Sequence, residues 1–216
     1  MVRAFIALDL SESCIEALAG LQRELKAADA KAPVSWVKVR QVHLTLKFLG
    51  DVKPELISDI AAALDAVAVR TAPFDLRPAG CGAFPSLKRM RVLWAGLEGE
   101  GAGAMDALRK LQREVESAMA AFGFEREDRP FKPHLTLGRV KGQGDFPLLQ
   151  RAALDHIGFR AESFGIAEIV LYKSDLRPGG SVYTALHRAP FTGPPDDREP
   201  DGERAVQLKM DHKDDR

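Results

Sequence analysis

Cysteine is almost missing from this chain of 216 residues, which holds two, Cys14 and Cys81. Two thiols make neither a disulfide framework nor a metal-binding pattern, and each reads as a small buried apolar residue. Net charge is missing as well: 31 Lys plus Arg stand against 31 Asp plus Glu. That balance excludes a globally basic nucleic-acid binder and leaves room for a local basic cleft. No apolar run approaches the ~18 residues of a membrane span, and the apolar part of MVRAFIALDLSES is too short for a signal sequence. The expectation is a soluble cytoplasmic protein with no membrane partner, large enough for one big domain or two small lobes.

What is present is one short stretch written twice. Residues 43–46 and residues 134–137 both read HLTL, each inside an extended-looking run. Strand side chains alternate between faces. His43 and Thr45 therefore share one face, with Leu44, Leu46 and Phe48 on the other. His134 and Thr136 share a face opposite Leu135 and Leu137. The leucine faces call for burial under helices. The His/Thr faces, with imidazole and hydroxyl ~7 Å apart at Cα, must look onto water or a ligand. Two such strands facing one cleft would gather two imidazoles and two hydroxyls around one small anion.

The surrounding pattern is itself duplicated. Arg3–Leu8 reads as a buried strand, and Asp9 and Ser11 offer a helix cap, with Glu12 close behind. Ile15, Leu18, Leu21 and Leu25 then recur at helical spacing to about Ala28. After a short extended piece at Trp36–Lys38 comes the first motif strand, ended by Gly50–Asp51. Pro54 opens a helix carrying Ile57, Ile60, Leu64 and Val67. Phe74–Phe84 looks extended, with Pro78, Gly80 and Gly82 marking a bulge or an edge strand. The pattern restarts at Arg91–Leu97, with a helix over Ala104–Ala121, a loop, the second motif strand, a helix over Phe146–Ile157 and strand over most of Phe159–Leu176. A last strand, Ser181–Arg188, returns through a turn at Pro178–Gly180. Both halves read β-α-β-α-β. The expected fold is α+β, with two duplicated lobes carrying antiparallel sheets around a central cleft. Residues 1–189 form that bilobal domain. Residues 190–216, rich in charge and proline, read as a disordered tail.

Two imidazoles around one small anion can act as a base that activates water and an acid that protonates a departing oxygen. Histidine serves both roles near neutral pH, because its ordinary pKa of ~6.5 leaves one copy neutral and another protonated. Threonine hydroxyls can donate to the oxygens of a bound anion. No metal or other cofactor is called for. Two histidines so far apart in sequence, with no Cys or carboxylate pattern beside them, do not make a zinc site. His156, His187 and His212 lack such company and read as surface residues.

The tandem motifs, extended to HLTLKFLG and PHLTLGR, with RAFIALDL at the start and RVLWAGL before the second copy, resemble the 2H phosphoesterase superfamily. Within it the chain is most similar to the RNA 2′,3′-cyclic phosphodiesterases, also described as 2′-5′ RNA ligases. The resemblance covers residues 1 to about 188. It implies a bilobal fold with pseudo-two-fold symmetry, His43 as proton donor and His134 as proton acceptor. It also implies hydrolysis of a 2′,3′-cyclic phosphate to a 2′-phosphomonoester, with 2′-5′ ligation as the reverse. The expected partners are RNA ends bearing that cyclic phosphate, tRNA fragments among them, or cyclic nucleotides; the expected state is a monomer without metal. A phosphodiesterase of small cyclic nucleotides and a non-catalytic RNA-end binding module stand as alternatives.

Around the four motif residues, two further side chains are candidates for substrate binding. Arg139 closes the second motif, but strict alternation puts it on the leucine face, so it needs a bulge to turn inward. Lys47 shares the His43 face and could add positive charge there. Gly138, also on the motif face, removes a side chain that could obstruct substrate. Phe48, Trp36 and Trp94 read as core. Lys88, Arg89 and Arg91 form a basic loop placed to touch RNA.

Overall fold

The computed structural model describes residues 1–142, 144–177 and 180–194. Its first element is the apolar strand β1, Val2–Leu8. Helix α1, Glu12–Ala28, begins where the Ser11 hydroxyl accepts the Cys14 N–H at 3.2 Å. It buries Cys14, Leu18, Leu21 and Leu25. Strands β2, Val34–Trp36, and β3, Leu44–Val52, follow, then helix α2, Ile57–Ala68. The hairpin β4–β5 spans Phe74–Ser86 and Arg89–Glu100. Helix α3, Ala104–Ala120, strand β6, Leu135–Val140, and helix α4, Pro147–Asp155, complete the second copy. Strands β7, Phe164–Ile166, β8, Glu168–Arg177, and β9, Gly180–Pro190, end the described fold.

The strands form one antiparallel sheet in the order β7-β4-β5-β6-β3-β1-β8-β9, with β2 on β6. The motif strands β3 and β6 stand at its middle, with four strands of the main path in each half-sheet. The duplicated α+β architecture is therefore as expected, with an exchange that periodicity alone does not reveal. The third strand of each sequence half, β4 or β8, pairs with β5 or β1 of the other half. Two helices cross over too: α3 packs on α2 and touches β3, while α1 packs on α4. Core leucines, among them Leu8, Leu18, Leu44, Leu64, Leu93, Leu108 and Leu135, are 0–1% exposed between helices and sheet.

Two boundaries that matter here differ from the sequence reading, and one bulge is as expected. Strand β3 does not end at Gly50–Asp51. It continues to Val52 through a register shift beside Gly50, whose φ of 68° is the left-handed backbone that glycine tolerates. β4 does contain the expected bulge, at Ala79–Cys81, where Gly80 has φ 73°. On its far side β7 pairs with it only over Phe74–Leu76. The body of the protein also runs past residue 189. Phe191 is 7% exposed and stacks on Phe74 at 6.2 Å. The next residues are held too: Gly193 N–H donates to Thr71 O at 3.0 Å. The remainder of the proposed tail, from residue 195 on, lies outside the described residues, as do Pro178 and Gly179 of the expected turn. Among the described residues, no helix is long and apolar enough to cross a membrane.

Phe191 gives this boundary a test. A chain ending at Ala189 should lose about 3–5 kcal/mol of stability, the cost of deleting a buried phenylalanine, in urea unfolding against a chain ending at Pro194. Equal midpoints for the two would show that Phe191 contributes nothing.

Candidate active site

The two half-sheets are joined through β3 and β6 by a single register pair, Leu44 opposite Leu135. His43 and His134 each stand one residue before this pair, and Thr45 and Thr136 one residue after it, so the four motif residues flank the joint. The four motif residues thus form one patch, and the pseudo-two-fold axis passes through the leucine pair at its centre. Leu44, Leu46, Leu135 and Leu137 are buried on the helix side, while His43, Thr45, His134 and Thr136 are half-exposed. This arrangement matches the sequence reading.

Three residues after each histidine the alternation breaks. Ile6 pairs Lys47 and Ala7 pairs Thr45, so Leu46 is an extra residue in β3. Leu93 pairs Gly138 and Trp94 pairs Thr136, so Leu137 is the same extra residue in β6. A bulge of one residue sends everything beyond it to the other face. Arg139 consequently turns to the histidine side and is exposed, which the sequence reading made conditional on a bulge. Phe48 turns the same way: it is 64% exposed and lies 5.9 Å from Phe5, so it is not core.

The residue before each of these turns inward. Lys47 is not on the histidine face. It is 6% exposed and its Nζ donates to Glu116 of α3 at 2.6 Å and to the carbonyl of Glu125 at 2.7 Å. Gly138 is likewise not on the motif face: a Cβ there would meet Val34 at 2.7 Å and Trp36 at 3.0 Å. Its missing side chain makes room for β2, not for substrate. Trp36 packs against the core as expected. Trp94 does not. It pairs with Thr136 on the site face and contacts Phe84 at 5.3 Å.

The two imidazoles are held alike. His43 Nδ1–H donates to Gln41 O at 2.9 Å, and His134 Nδ1–H donates to Lys132 O at 2.7 Å. A carbonyl only accepts, so each Nδ1 carries hydrogen and the chemistry is left to Nε2. Among the described residues neither Nε2, nor the hydroxyl of Thr45 or Thr136, has a protein partner. Aromatic rings fix both imidazole planes: Phe5 stacks on His43 at 4.7 Å, with Tyr183 edge-on at 5.3 Å, and Phe84 meets His134 edge-on at 4.9 Å. Tyr183 and Phe84 come from the long hairpins β8–β9 and β4–β5, which flank the patch from opposite lobes.

Electrostatics separates what geometry makes equal. Burial pushes the pKa of both histidines below the ordinary value, and the carbonyl bond opposes it in each. The nearby charges have opposite sign. Asp9 favours the imidazolium of His43, whereas Arg139 disfavours that of His134. Asp9 is held by Tyr172, whose hydroxyl donates to it at 2.7 Å, and by Arg188 at 3.1 Å.

The remaining candidates fall outside this patch. His156 and His187 are half-buried and hydrogen-bonded, to Glu24 at 2.6 Å and to Asp65 at 2.7 Å. His212 lies outside the described residues. Cys14 and Cys81 are buried, and burial pushes both thiols up to about 12. Lys88, Arg89 and Arg91 are exposed on the β4–β5 hairpin and form no ion pair among the described residues. Among those residues, no three His, Cys, Asp or Glu converge as metal ligands. A groove of about 880 Å³ lies elsewhere, between α3 and the segment after α2.

Sequence reading missed Asp9, Tyr183, Phe84 and Gln22. Gln22 had a visible signal, because LQRE occurs at 21–24 and again at 111–114. Its Nε2 donates to Val37 O at 2.7 Å and to Leu137 O, the carbonyl of the second bulge, at 2.9 Å.

The site is assembled from paired imidazoles and paired threonines at the joint of two duplicated lobes. The family model described as LigT-like phosphoesterase matches residues 8–94 and 102–183, and the chain belongs to that family. The chain is 35% identical to an RNA 2′,3′-cyclic phosphodiesterase of Geobacillus stearothermophilus over 92% of its own length, spanning 60% of that relative. It is 34% identical to a protein of the same name from Methanothermobacter thermautotrophicus, over 86% of this chain and 96% of the relative. The crystal structure of Escherichia coli LigT complexed with 3′-AMP superposes with a TM-score of 0.69 at 26% identity, over 88% of this chain and 98% of LigT.

The charge asymmetry is measurable without any substrate. In an NMR titration both imidazoles should titrate below ~6.5. Asp9→Asn should move His43 further down, and Arg139→Met should move His134 up. Shifts of the same sign in the two variants would show that the charges do not distinguish the histidines.

Proposed function

We propose that this chain, an RNA 2′,3′-cyclic phosphodiesterase like its relatives, opens the cyclic phosphate with His43 as acid and His134 as base, without a metal. The observation that carries this reading is the pairing of Leu44 with Leu135, which brings the two motifs to one joint, with two Nε2 atoms and two hydroxyls that have no protein partner among the described residues. Neutral His134 takes a proton from water as the oxygen attacks phosphorus. The P–O3′ bond breaks, and the departing oxygen takes the Nε2 proton of His43. A 2′-phosphomonoester and a free 3′-hydroxyl remain. The Thr45 and Thr136 hydroxyls donate to the non-bridging oxygens, where charge is held. Asp9 beside His43 and Arg139 beside His134 favour this division of roles. The same groups with roles exchanged would run 2′-5′ joining.

Beyond the phosphate, Phe48 and Arg139 occupy matching corners of the patch. An exposed ring offers a base-stacking surface worth ~1–3 kcal/mol, and the guanidinium offers a contact to phosphate or base. The exposed cations Lys88, Arg89 and Arg91 continue from Phe84 along the hairpin. They favour an RNA end over a cyclic mononucleotide, because only RNA carries further phosphates to meet them.

The test uses an oligonucleotide ending in a 2′,3′-cyclic phosphate beside 2′,3′-cyclic AMP, both in EDTA. Turnover of both is expected, with the oligonucleotide preferred and its kcat/KM falling more steeply with salt. Thr45→Val and Thr136→Val should each lower turnover ~10- to 100-fold, each removing one hydrogen bond to a charged oxygen. A requirement for added divalent ion would sink the metal-free mechanism. Preference for the mononucleotide with no difference in salt response would favour the cyclic-nucleotide reading. Binding without turnover would make the chain a binding module.

A further inference from the structure

Lys47 is a lysine in the wrong place for a substrate contact, buried between Thr45 and Phe48 on the side away from the histidines. Lysines are almost never buried unless paired, and a buried ion pair is weak ground for stability, since desolvation offsets the attraction. What its bonds do is connect. Glu116 belongs to α3, and Glu125 lies in the loop that leads to His134. One side chain on the first motif strand thereby holds the approach to the second motif.

The other lobe carries the mirror of this device. Gln22, 5% exposed on α1, donates to Leu137 O in the second motif strand and to Val37 O in the segment that leads to His43. Its own carbonyl oxygen accepts from Lys26 at 2.7 Å, so every polar atom of the amide is used. The LQRE repeat makes Gln112 its counterpart, and Glu116 the counterpart of Lys26. Gln112 Nε2 donates to Glu116 at 3.4 Å. The symmetry breaks where the bulges place different residues. Gly138 has no side chain, so Gln22 reaches the backbone there; Lys47 has a long one and makes the crossing itself.

We propose that Lys47 and Gln22 are paired positioning residues that cross-tie the two sequence halves. Lys47 fixes the loop that presents His134 to the Lys132 carbonyl, and Gln22 fixes the segment that presents His43 to the Gln41 carbonyl. Neither touches substrate. Each acts through the Nδ1–H bond that holds its histidine in one tautomer with Nε2 free.

The imidazole ¹⁵N signals of the free protein report each tautomer separately, whatever the substrate. The first variant is Lys47→Met with Glu116→Gln, which strands no charge. It should leave His43 unchanged while His134 becomes a mixture of tautomers. With the cyclic-phosphate oligonucleotide, kcat should fall roughly tenfold with KM within twofold. Gln22→Leu should exchange the pattern, disturbing His43 and sparing His134. The kcat readout rests on the acid–base roles proposed above, whereas the ¹⁵N readout does not, so failure of those roles leaves the tautomer result standing. Lower thermal stability with both histidines unchanged, or equal disturbance of both in either variant, overturns the proposal. If the Lys47 variant yields no folded protein, Gln22→Leu decides alone: a selective change at His43 supports the cross-tie, and any other pattern refutes it.

Discussion

One extra residue in each motif strand governs this structure. The bulges at Leu46 and Leu137 let a strand serve two masters. Before the bulge, alternation buries leucines and presents a histidine and a threonine. After it, the strand turns a second kind of side chain onto the site face, Phe48 in one lobe and Arg139 in the other. Without the bulges Lys47 and Gly138 would face the site, while Phe48 and Arg139 would be driven into the helices. An apolar ring would survive that burial. An unpaired guanidinium would not, because an isolated buried charge costs far more than packing returns.

The frame is symmetric and the chemistry is not. Duplication supplies two equivalent imidazoles, each bonded through Nδ1 to the carbonyl two residues earlier. The proposed acid and base must differ in protonation, so something must break the equivalence. Asp9 lies near one ring and Arg139, which closes the second motif, near the other. The same breaking appears beneath the sheet, where Lys47 and Gly138 occupy equivalent positions and call for different ties from α3 and α1.

The motif patch was legible from the sequence because its signal is local: HLTL repeated, with a period of two and leucines to bury. What followed the motifs was not legible. A bulge at leucine leaves no mark, since a buried leucine fits either register, and the faces of Lys47, Phe48 and Gly138 were therefore inverted. Trp94 was read as core, although its position opposite Thr136 falls on the site face. The strand exchange was hidden for another reason. Periodicity shows that β4 and β8 are strands and cannot show which edge they join. Phe191 was assigned to the tail by the prolines and charges around it, yet one aromatic ring with a receptive Phe74 is enough to extend the body. Gln22 could have been found from the LQRE repeat, whose glutamine is otherwise unexpected on a buried helix face.

The division of labour between the two histidines is the central claim, and a change of leaving group tests it most directly. A nitrophenolate leaves with little help from an acid. On a nitrophenyl phosphodiester, His43→Ala should keep much more of its activity than on a cyclic RNA end, whereas His134→Ala should be poor on both. Equal rescue of the two variants by the activated substrate would contradict His43 as the proton donor.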